Sequence, residues 1–411
     1  AHGYEDLNDV IAAGKTLKAG DKVYSVCMGK TLAMFQIGEE PLENGMNIVG
    51  AHIDSPRIDL KQNPLYEDND MAMFDTHYYG GIKKYQWVAL PLALYGVVAK
   101  KDGTTVDIAI GDDHGDPVFG ISDLLPHLAR EQMAKTAAKI IEGEDLNLLI
   151  GSIPVKGEEK EAVKKNILAI LKEKYDIEED DFISAELEVV PAGAARDYGF
   201  DRSMIMGYGH DDRVCAYPSY KAMFELGSVK RTAVCLLVDK EEIGSVGATG
   251  MTSFYFENTV AEVINACGDY SDIKVRRALN NSRMLSSDVS AGFDPNYPSV
   301  MEKNNSAFLG KGLTFNKYTG SGGKSGSNDA SAEYLGSLRK TFDDANVAYQ
   351  TAELGRIDAG GGGTIAYIPA AYGMDVIDIG VPILNMHAPY EVSSKADVYE
   401  TTKCYKAFYE M

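Results

Sequence analysis

The sequence is poor in cysteine and has no long apolar run. Its five cysteines form no C-x-x-C pair, which argues against a disulfide framework and a thiolate zinc site. We expect reduced thiols at Cys27, Cys215, Cys235, Cys267 and Cys404. The longest apolar stretch, near residues 88–99, includes Pro91 and does not predict a membrane span. The opening segment, AHGYEDLNDVIAAG, lacks the features of a secretory signal, so we expect a cytoplasmic protein.

Positive charge is also scarce in this sequence. The chain has 40 Lys and Arg residues against 61 Asp and Glu residues, and its formal net charge is -21. Such a charge repels phosphate backbones, so no nucleic-acid partner is expected. The acidity favours solubility, and it is also compatible with attraction of the positive amino termini of peptides.

Strand and helix patterns alternate in two parts of the chain. Its 411 residues, 45% of them hydrophobic, can bury a large core and suggest two or three domains. MNIVGAHIDS, SMIMGYGH and TAVCLLVDK predict strands, and VCAYPSYKAMFEL predicts a helix between the last two. This alternation indicates an α/β sheet with helices on both faces.

The middle of the chain has a different pattern. LPLALYGVVAK and TTVDIAIG, joined by a Lys-Asp-Gly turn, predict a β-hairpin, and residues 158–175 show the spacing of a surface helix. We therefore predict a catalytic domain formed by residues 1–87 and 201–411, with a mixed central sheet and helices on both faces. A smaller β-rich insertion at residues 88–200 interrupts it.

Three polar pairs follow predicted strands. His52 and Asp54 leave the same face of an extended chain, so one can bind a metal ion while the other orients it. Taken alone, that pair is better explained by a hydrogen bond at the surface.

The other two pairs contain only carboxylates. Either Asp211 or Asp212 can bridge two cations or cap the following helix. Glu241 and Glu242 diverge as neighbours do, so one can bind metal while the other acts on water. A solvated charge pair is the alternative for these two residues.

Asp288 and His387 complete a candidate metal site. Each follows another apolar segment, and each by itself is more often structural than a ligand. Together, two histidines and three carboxylates supply the imidazole and oxygen donors that suit Zn²⁺, Co²⁺ or Mn²⁺. All of these residues lie outside the predicted insertion, and a further carboxylate remains to act as a base.

The ordered motifs AHIDSP, GHDD, DKEEIGS, SSDVSAGFDPNY and NMHAPYE resemble the aspartyl aminopeptidase and vacuolar aminopeptidase I family over nearly the whole chain. GGGGTIA and PHLA add to the likeness. The resemblance implies a zinc-exopeptidase-like fold and a metallo-aminopeptidase that removes the first residue of short peptides, with Asp or Glu as the candidate residue. Preference for a neutral first residue, hydrolysis of N-acyl amino acids, and a catalytically silent peptide-binding assembly protein are the alternatives.

The resemblance further implies two divalent ions per subunit, with Zn²⁺ preferred and Co²⁺ or Mn²⁺ as alternatives. His52 and Asp288 would hold one ion, and Glu242 and His387 would hold the second. Asp211 would bridge the two ions.

The remaining implied roles concern proton transfer, substrate and assembly. Glu241 would be the general base for a water activated by the two metals, and Asp54 would orient the first histidine. The family also implies a homo-oligomer, a dodecamer, in which His127 is a candidate to reach a neighbouring active site. Lys324, in GGKSGSND, is a candidate partner for an acidic substrate side chain.

Overall fold

The computed structural model describes residues 2–268 and 270–411. It divides into two compact units. The first contains the chain up to Ser55 together with Asp197–Met386 and Glu391–Met411, and the second contains Pro56–Arg196 and His387–Tyr390. Every helix in the described residues is too short or too polar to span a bilayer.

The strands, numbered in chain order, are β1 Glu5–Asp6, β2 Lys22–Cys27, β3 Thr31–Gln36, β4 Asn47–His52, β5 Arg57–Asp68, β6 Met71–Tyr79, β7 Leu92–Ala99, β8 Thr105–Ile110, β9 Leu148–Gly151, β10 Ala185–Pro191, β11 Arg196–Tyr198, β12 Met204–Gly207, β13 Ala233–Val238, β14 Arg283–Ser287, β15 Ser290–Ala291, β16 Leu313–Asn316, β17 Tyr349–Thr351, β18 Asp375–Gly380, β19 Pro382–Leu384 and β20 Glu391–Ser394. The helices are α1 Leu7–Ala12, α2 Arg130–Met133, α3 Ala162–Tyr175, α4 His210–Phe224, α5 Tyr255–Ala266, α6 Asp272–Asn280, α7 Ala332–Asp344, α8 Tyr367–Ala370 and α9 Lys395–Tyr409.

A nine-stranded sheet forms the centre of the first unit, in the order β1-β2-β3-β13-β4-β14-β18-β16-β17. Its middle strands β13, β4, β14 and β18 are parallel, whereas β3 and β16 pair with them antiparallel. Every residue of β4 and β13 is buried, which is typical of parallel strands covered on both faces. The predicted mixed sheet is confirmed.

Apolar side chains cover both faces of this sheet. Because successive strand residues point to opposite faces, Ile48 packs in a cluster with residues of α5 and α6, whereas Val49 packs in another with residues of α4, α7 and α9. The predicted helices on both faces are therefore confirmed. This packing fixes β4 and β13 rigidly at the point where each of them ends.

The second unit contains a six-stranded antiparallel sheet in the order β8-β7-β10-β5-β6-β9. The predicted hairpin is present, with Ala99 opposite Thr105 and a turn in which Gly103 has φ 87. The predicted surface helix is α3, whose one fully buried residue is Val163.

The second unit begins at Pro56, whereas the sequence placed the insertion boundary at residue 88. Strands β5 and β6 come before residue 88, yet they pair with each other and with β10 and β9. β5 and β6 are adjacent in the chain, but β10 and β9 lie far from them, and local sequence patterns do not reveal such distant pairing. The segment His387–Tyr390 also belongs to this unit.

The two glycine-rich loops of the first unit, which contain GGKSGSND and GGGGTIA, pack against each other. The Gly320 N–H donates to the Gly362 carbonyl oxygen at 2.7 Å, and a Cβ at Gly361 would lie 2.5 Å from the Gly320 oxygen. Glycine is required at this contact because the two loop backbones approach so closely.

The buried Asp378 carboxylate accepts hydrogen bonds from the Thr319 and Thr364 hydroxyls, at 3.0 and 2.5 Å.

Asp378 should make the stability of the fold depend on pH. Burial raises its pKa from 3.8 to about 6, although the surrounding hydroxyls lower it. The folded state therefore holds this proton more tightly than the unfolded chain does, and the resulting stabilisation, full at low pH, is lost as the pH rises through about 6. Asp378→Asn cannot ionise, so we expect its stability relative to wild type to increase by about 2 kcal/mol between about pH 4.5 and about pH 7.5. Urea unfolding of both proteins measures this difference, and a difference independent of pH would contradict it.

Candidate metal centre

The candidate site lies at one edge of the central sheet. β4 ends at His52, β13 ends shortly before the short 3₁₀ turn Glu241–Ile243, and β14 ends immediately before Asp288. These three strands are parallel neighbours, so their carboxyl ends lie at the same edge. Side chains that are distant in the sequence meet there.

The His52 imidazole is the centre of this cluster. Its Nε2 lies 3.0 Å from Asp211 Oδ1, 3.8 Å from Asp288 Oδ1 and 4.0 Å from Glu241 Oε2. Its Nδ1 lies 2.9 Å from the carbonyl oxygen of Asp54, which assigns the ring proton of the neutral imidazole to Nδ1. Nε2 is therefore the nitrogen that can bind a cation.

Asp54 positions several of its neighbours. Its carboxylate accepts the backbone N–H groups of Glu241 and Glu242, at 3.1 and 3.2 Å, and one oxygen lies 3.3 Å from His52 Nδ1. The orienting role of Asp54 toward His52 stays a prediction, and its carboxylate lies beside that ring. The same carboxylate also fixes the turn that carries the two glutamates, a function not expected from the sequence.

Asp211 and Asp212 contact different parts of His52. Asp211 faces the imidazole, whereas Asp212 Oδ2 accepts the backbone N–H of His52 at 3.3 Å. Neither aspartate is the N-cap residue of α4, since that position is Gly209. Both aspartates have non-helical backbone angles, which turn their side chains toward β4. Simple helix capping does not account for them.

Electrostatics favour a cation at this site. Burial and the neighbouring carboxylates raise the pKa of Asp212 and of Asp288 well above the ordinary range. Burial opposes a charge on His52, but the surrounding carboxylates outweigh it and raise the pKa of His52. Several acidic groups thus crowd around a single imidazole, and a divalent cation would neutralise them.

Among the described side chains of the first unit, two sets have ligand atoms within 4.8 Å of one another. One set is His52, Asp212 and Asp288, and the other is His52, Glu241 and Glu242. Imidazole and carboxylate donors fit Zn²⁺. The residues present therefore fit a metal ion. Because the first set contains Asp212, that residue is an alternative ligand to Asp211.

The three remaining predicted residues have different local surroundings. In the second unit, His387 Nδ1 lies 2.9 Å from the Gly81 carbonyl oxygen, which leaves Nε2 of the neutral ring as its metal-binding nitrogen. His127 is exposed in a turn before α2. The Lys324 ammonium lies 3.3 Å from Asp329 and 4.0 Å from the Tyr318 ring centroid.

Sequence reasoning missed two residues that hold Asp211. The Ser55 hydroxyl donates to the Asp211 carbonyl at 2.7 Å, and the Asp211 N–H donates to Glu391 Oε2 at 3.0 Å. Ser55 directly follows Asp54 within AHIDSP, and Glu391 is the last residue of NMHAPYE and the first residue of β20. Their positions within recognised motifs are the one signal that the sequence offered.

The mixed sheet carries a cluster of imidazole and carboxylate donors that can hold a metal ion, as in a metalloenzyme. A family model described as aminopeptidase I zinc metalloprotease (M18) matches residues 1–409. A probable M18 family aminopeptidase 1 of Clostridium acetobutylicum is 67% identical over 407 residues, covering 99% of this chain and 88% of that protein. The corresponding protein of Thermotoga maritima is 48% identical over 389 residues, covering 94% and 85%. The chain belongs to the M18 family and is a zinc-type metallo-aminopeptidase, a hydrolase of peptide bonds.

Solved structures agree with this membership. The crystal structure of aminopeptidase I from Clostridium acetobutylicum has a TM-score of 0.95 at 64% identity, covering 100% of this chain and 89% of that one. The mApe1 dodecamer of Saccharomyces cerevisiae has a TM-score of 0.77 at 19% identity, covering 99% and 89%, and shares the fold.

Proposed function

We propose that this aminopeptidase removes the first residue of short peptides with two divalent ions per subunit, preferentially Zn²⁺. The observation that carries the proposal is the convergence of three carboxylates within 4.0 Å of His52 Nε2. His52 and Asp288 would hold one ion, Glu242 and His387 would hold the other, and Asp211 would be a ligand shared by both. The assignment of His387 rests on the family motif and on the orientation of its ring.

Glu241 is the proposed general base. When bound, the ions supply Lewis-acid polarisation and lower the pKa of water. Glu241 is 17% exposed, so its carboxylate can reach both solvent and substrate. It takes a proton from the attacking water and delivers it to the leaving amine. Asp54 holds the Glu241 backbone and keeps this carboxylate in place.

Peptide digestion tests the proposed activity directly. Metal-depleted protein is incubated, with and without added Zn²⁺, with a short peptide and with its N-acetylated form, and the products are weighed by mass spectrometry. We expect loss of the first residue from the unblocked peptide in the presence of Zn²⁺. Release from the blocked form would point to deacylase or endopeptidase chemistry, and full activity after exhaustive chelation would contradict the metal assignment.

Lys324 is the proposed partner of an acidic first residue. Lys324→Ala should lower kcat/KM for Asp- and Glu-anilides by roughly 10- to 100-fold relative to a Leu-anilide, since a charge-assisted hydrogen bond is lost. Lys317→Ala is the matched control, because Lys317 also contacts Asp329 and Tyr318, at 3.1 and 4.2 Å. A clear preference of the wild-type enzyme for Leu would reject the acidic pocket, and a larger loss in Lys317→Ala would transfer the role to Lys317.

Assembly with further copies of the chain is also part of this proposal. In the second unit, the segment around His127 exposes Leu125 by 49%, Leu128 by 68% and Met133 by 70%. Exposed apolar side chains mark interaction surfaces, and the related mApe1 is described as a dodecamer. We expect this segment to contact a second copy and to bring His127 to its active site. Light scattering under native conditions should show an oligomer, and a monomer would contradict the proposal.

A cytoplasmic location completes the proposal. All five cysteines are free thiols, the state that a reducing compartment maintains.

A further inference from the structure

The peptide groups on both sides of the Asp211 Cα atom are held by side chains of other elements. The Asp211 N–H donates to Glu391 at 3.0 Å, and the Asp211 carbonyl accepts from the Ser55 hydroxyl at 2.7 Å. All three residues are buried, with exposures of 3% for Asp211, 1% for Glu391 and 7% for Ser55. The backbone of Asp211 is thus anchored at two points.

The local chain conformation makes these two contacts necessary. The first N–H groups of a helix have no partner within the helix, and Asp211, with φ -79 and ψ 103, lies outside the helical region. Buried peptide groups need hydrogen bonds, so an unpaired Asp211 backbone would be unstable in this conformation. Ser55 and Glu391 supply the bonds that the helix does not.

The tertiary arrangement holds both side chains beside Asp211. β20 pairs antiparallel with β12, and Glu391 lies opposite Gly207, the last residue before the segment that leads to Asp211. Ser55 is so close to Gly209 that a Cβ there would lie 3.2 Å from the Ser55 hydroxyl, and Gly209 also has φ 73. The segment therefore passes between two elements in one defined conformation.

We propose that Glu391 and Ser55 are positioning residues that direct the Asp211 carboxylate toward His52 and so set the metal affinity of the site. The inference rests on the proposed role of Asp211 as a ligand. Partners that orient metal ligands typically change metal affinity 10- to 100-fold when they are removed.

Zinc binding of the full-length protein tests this inference without relying on turnover. Glu391→Ala and Ser55→Ala are depleted of metal and titrated with Zn²⁺ against a competing chelator. We expect at least one zinc to bind about 10- to 100-fold more weakly in Glu391→Ala and about tenfold more weakly in Ser55→Ala. Glu391→Gln retains an acceptor for the Asp211 N–H, so its affinity should return to within about threefold of wild type. At saturating zinc, kcat should fall while KM stays nearly constant.

Asp397→Ala provides a matched structural control. Asp397 is also a buried carboxylate that accepts backbone N–H groups, from Gly310 and Gly312 at 2.7 Å each. We expect this variant to lose thermal stability and to bind zinc as wild type does. If Glu391→Ala behaves in the same way, or if Glu391→Gln binds zinc as weakly as Glu391→Ala, the positioning role is overturned.

Two further comparisons keep the outcomes separable. If Glu391→Ala does not fold, the zinc affinities of Glu391→Gln and Ser55→Ala are compared with that of wild type. A wild-type zinc affinity in Ser55→Ala overturns the inference. Asp211→Asn is titrated in parallel. If Asp211→Asn binds both zinc ions normally, the assignment of Asp211 as a ligand has failed. If Asp211→Asn loses zinc but the Glu391 and Ser55 variants bind it normally, only the positioning role is rejected.

Discussion

Glu241→Gln is expected to retain its metal ions and to lose about two to four orders of magnitude in kcat. Gln has nearly the same shape as Glu, but its amide cannot accept a proton at neutral pH. Asp54 still holds the backbone N–H of residue 241, at 3.1 Å in the wild-type structure, so the turn should keep its conformation. Turnover and zinc content measured on the same preparation separate a chemical defect from loss of metal.

Glu242→Gln is the matched control for this prediction. It changes the adjacent carboxylate in the same turn, whose N–H is also held by Asp54, at 3.2 Å. We expect Glu242→Gln to lose zinc, and its activity should recover in part at high zinc concentration. Near-normal hydrolysis by metal-loaded Glu241→Gln would contradict the assigned base, and loss of zinc from Glu241→Gln but not Glu242→Gln would exchange the two roles.

Asp211→Asn should have the largest effect on metal loading. Its carboxylate oxygen lies 3.0 Å from the metal-binding nitrogen of His52, and the proposed function places it between both ions. Replacing it with an amide removes a negative charge, so we expect zinc affinity to fall by about 100-fold or more. Elemental analysis after dialysis against buffered zinc should show fewer bound ions per subunit and a parallel loss of activity.

Asp212→Asn tests the competing assignment within the same motif. Asp212 accepts the backbone N–H of His52, and an Asn side chain can accept that bond through its carbonyl oxygen. We therefore expect Asp212→Asn to bind zinc more tightly than Asp211→Asn. The reverse order would make Asp212 the ligand, consistent with its place beside His52 and Asp288.

Local patterns in the sequence were sufficient for much of the fold. The apolar runs of β4 and β13, the β7–β8 hairpin and the surface helix α3 follow from residue periodicity and turn chemistry, which act over short distances in the chain. The family motifs indicated a metallo-aminopeptidase and its candidate ligands. They could be recognised without the structure because each motif is a short continuous segment.

Only the tertiary structure decided how those segments meet. It placed β5 and β6 in the second unit and distinguished the surroundings of Asp211 from those of Asp212. It also brought Ser55 and Glu391 to the Asp211 backbone, although they are 156 and 180 residues away in the chain. A sequence determines propensity and side-chain chemistry locally, whereas hydrogen bonds between distant strands and buried peptide groups form only when the whole core packs. For that reason the sequence by itself determined the reaction class and the donor types, and the fold decided which side chains hold the donors in place.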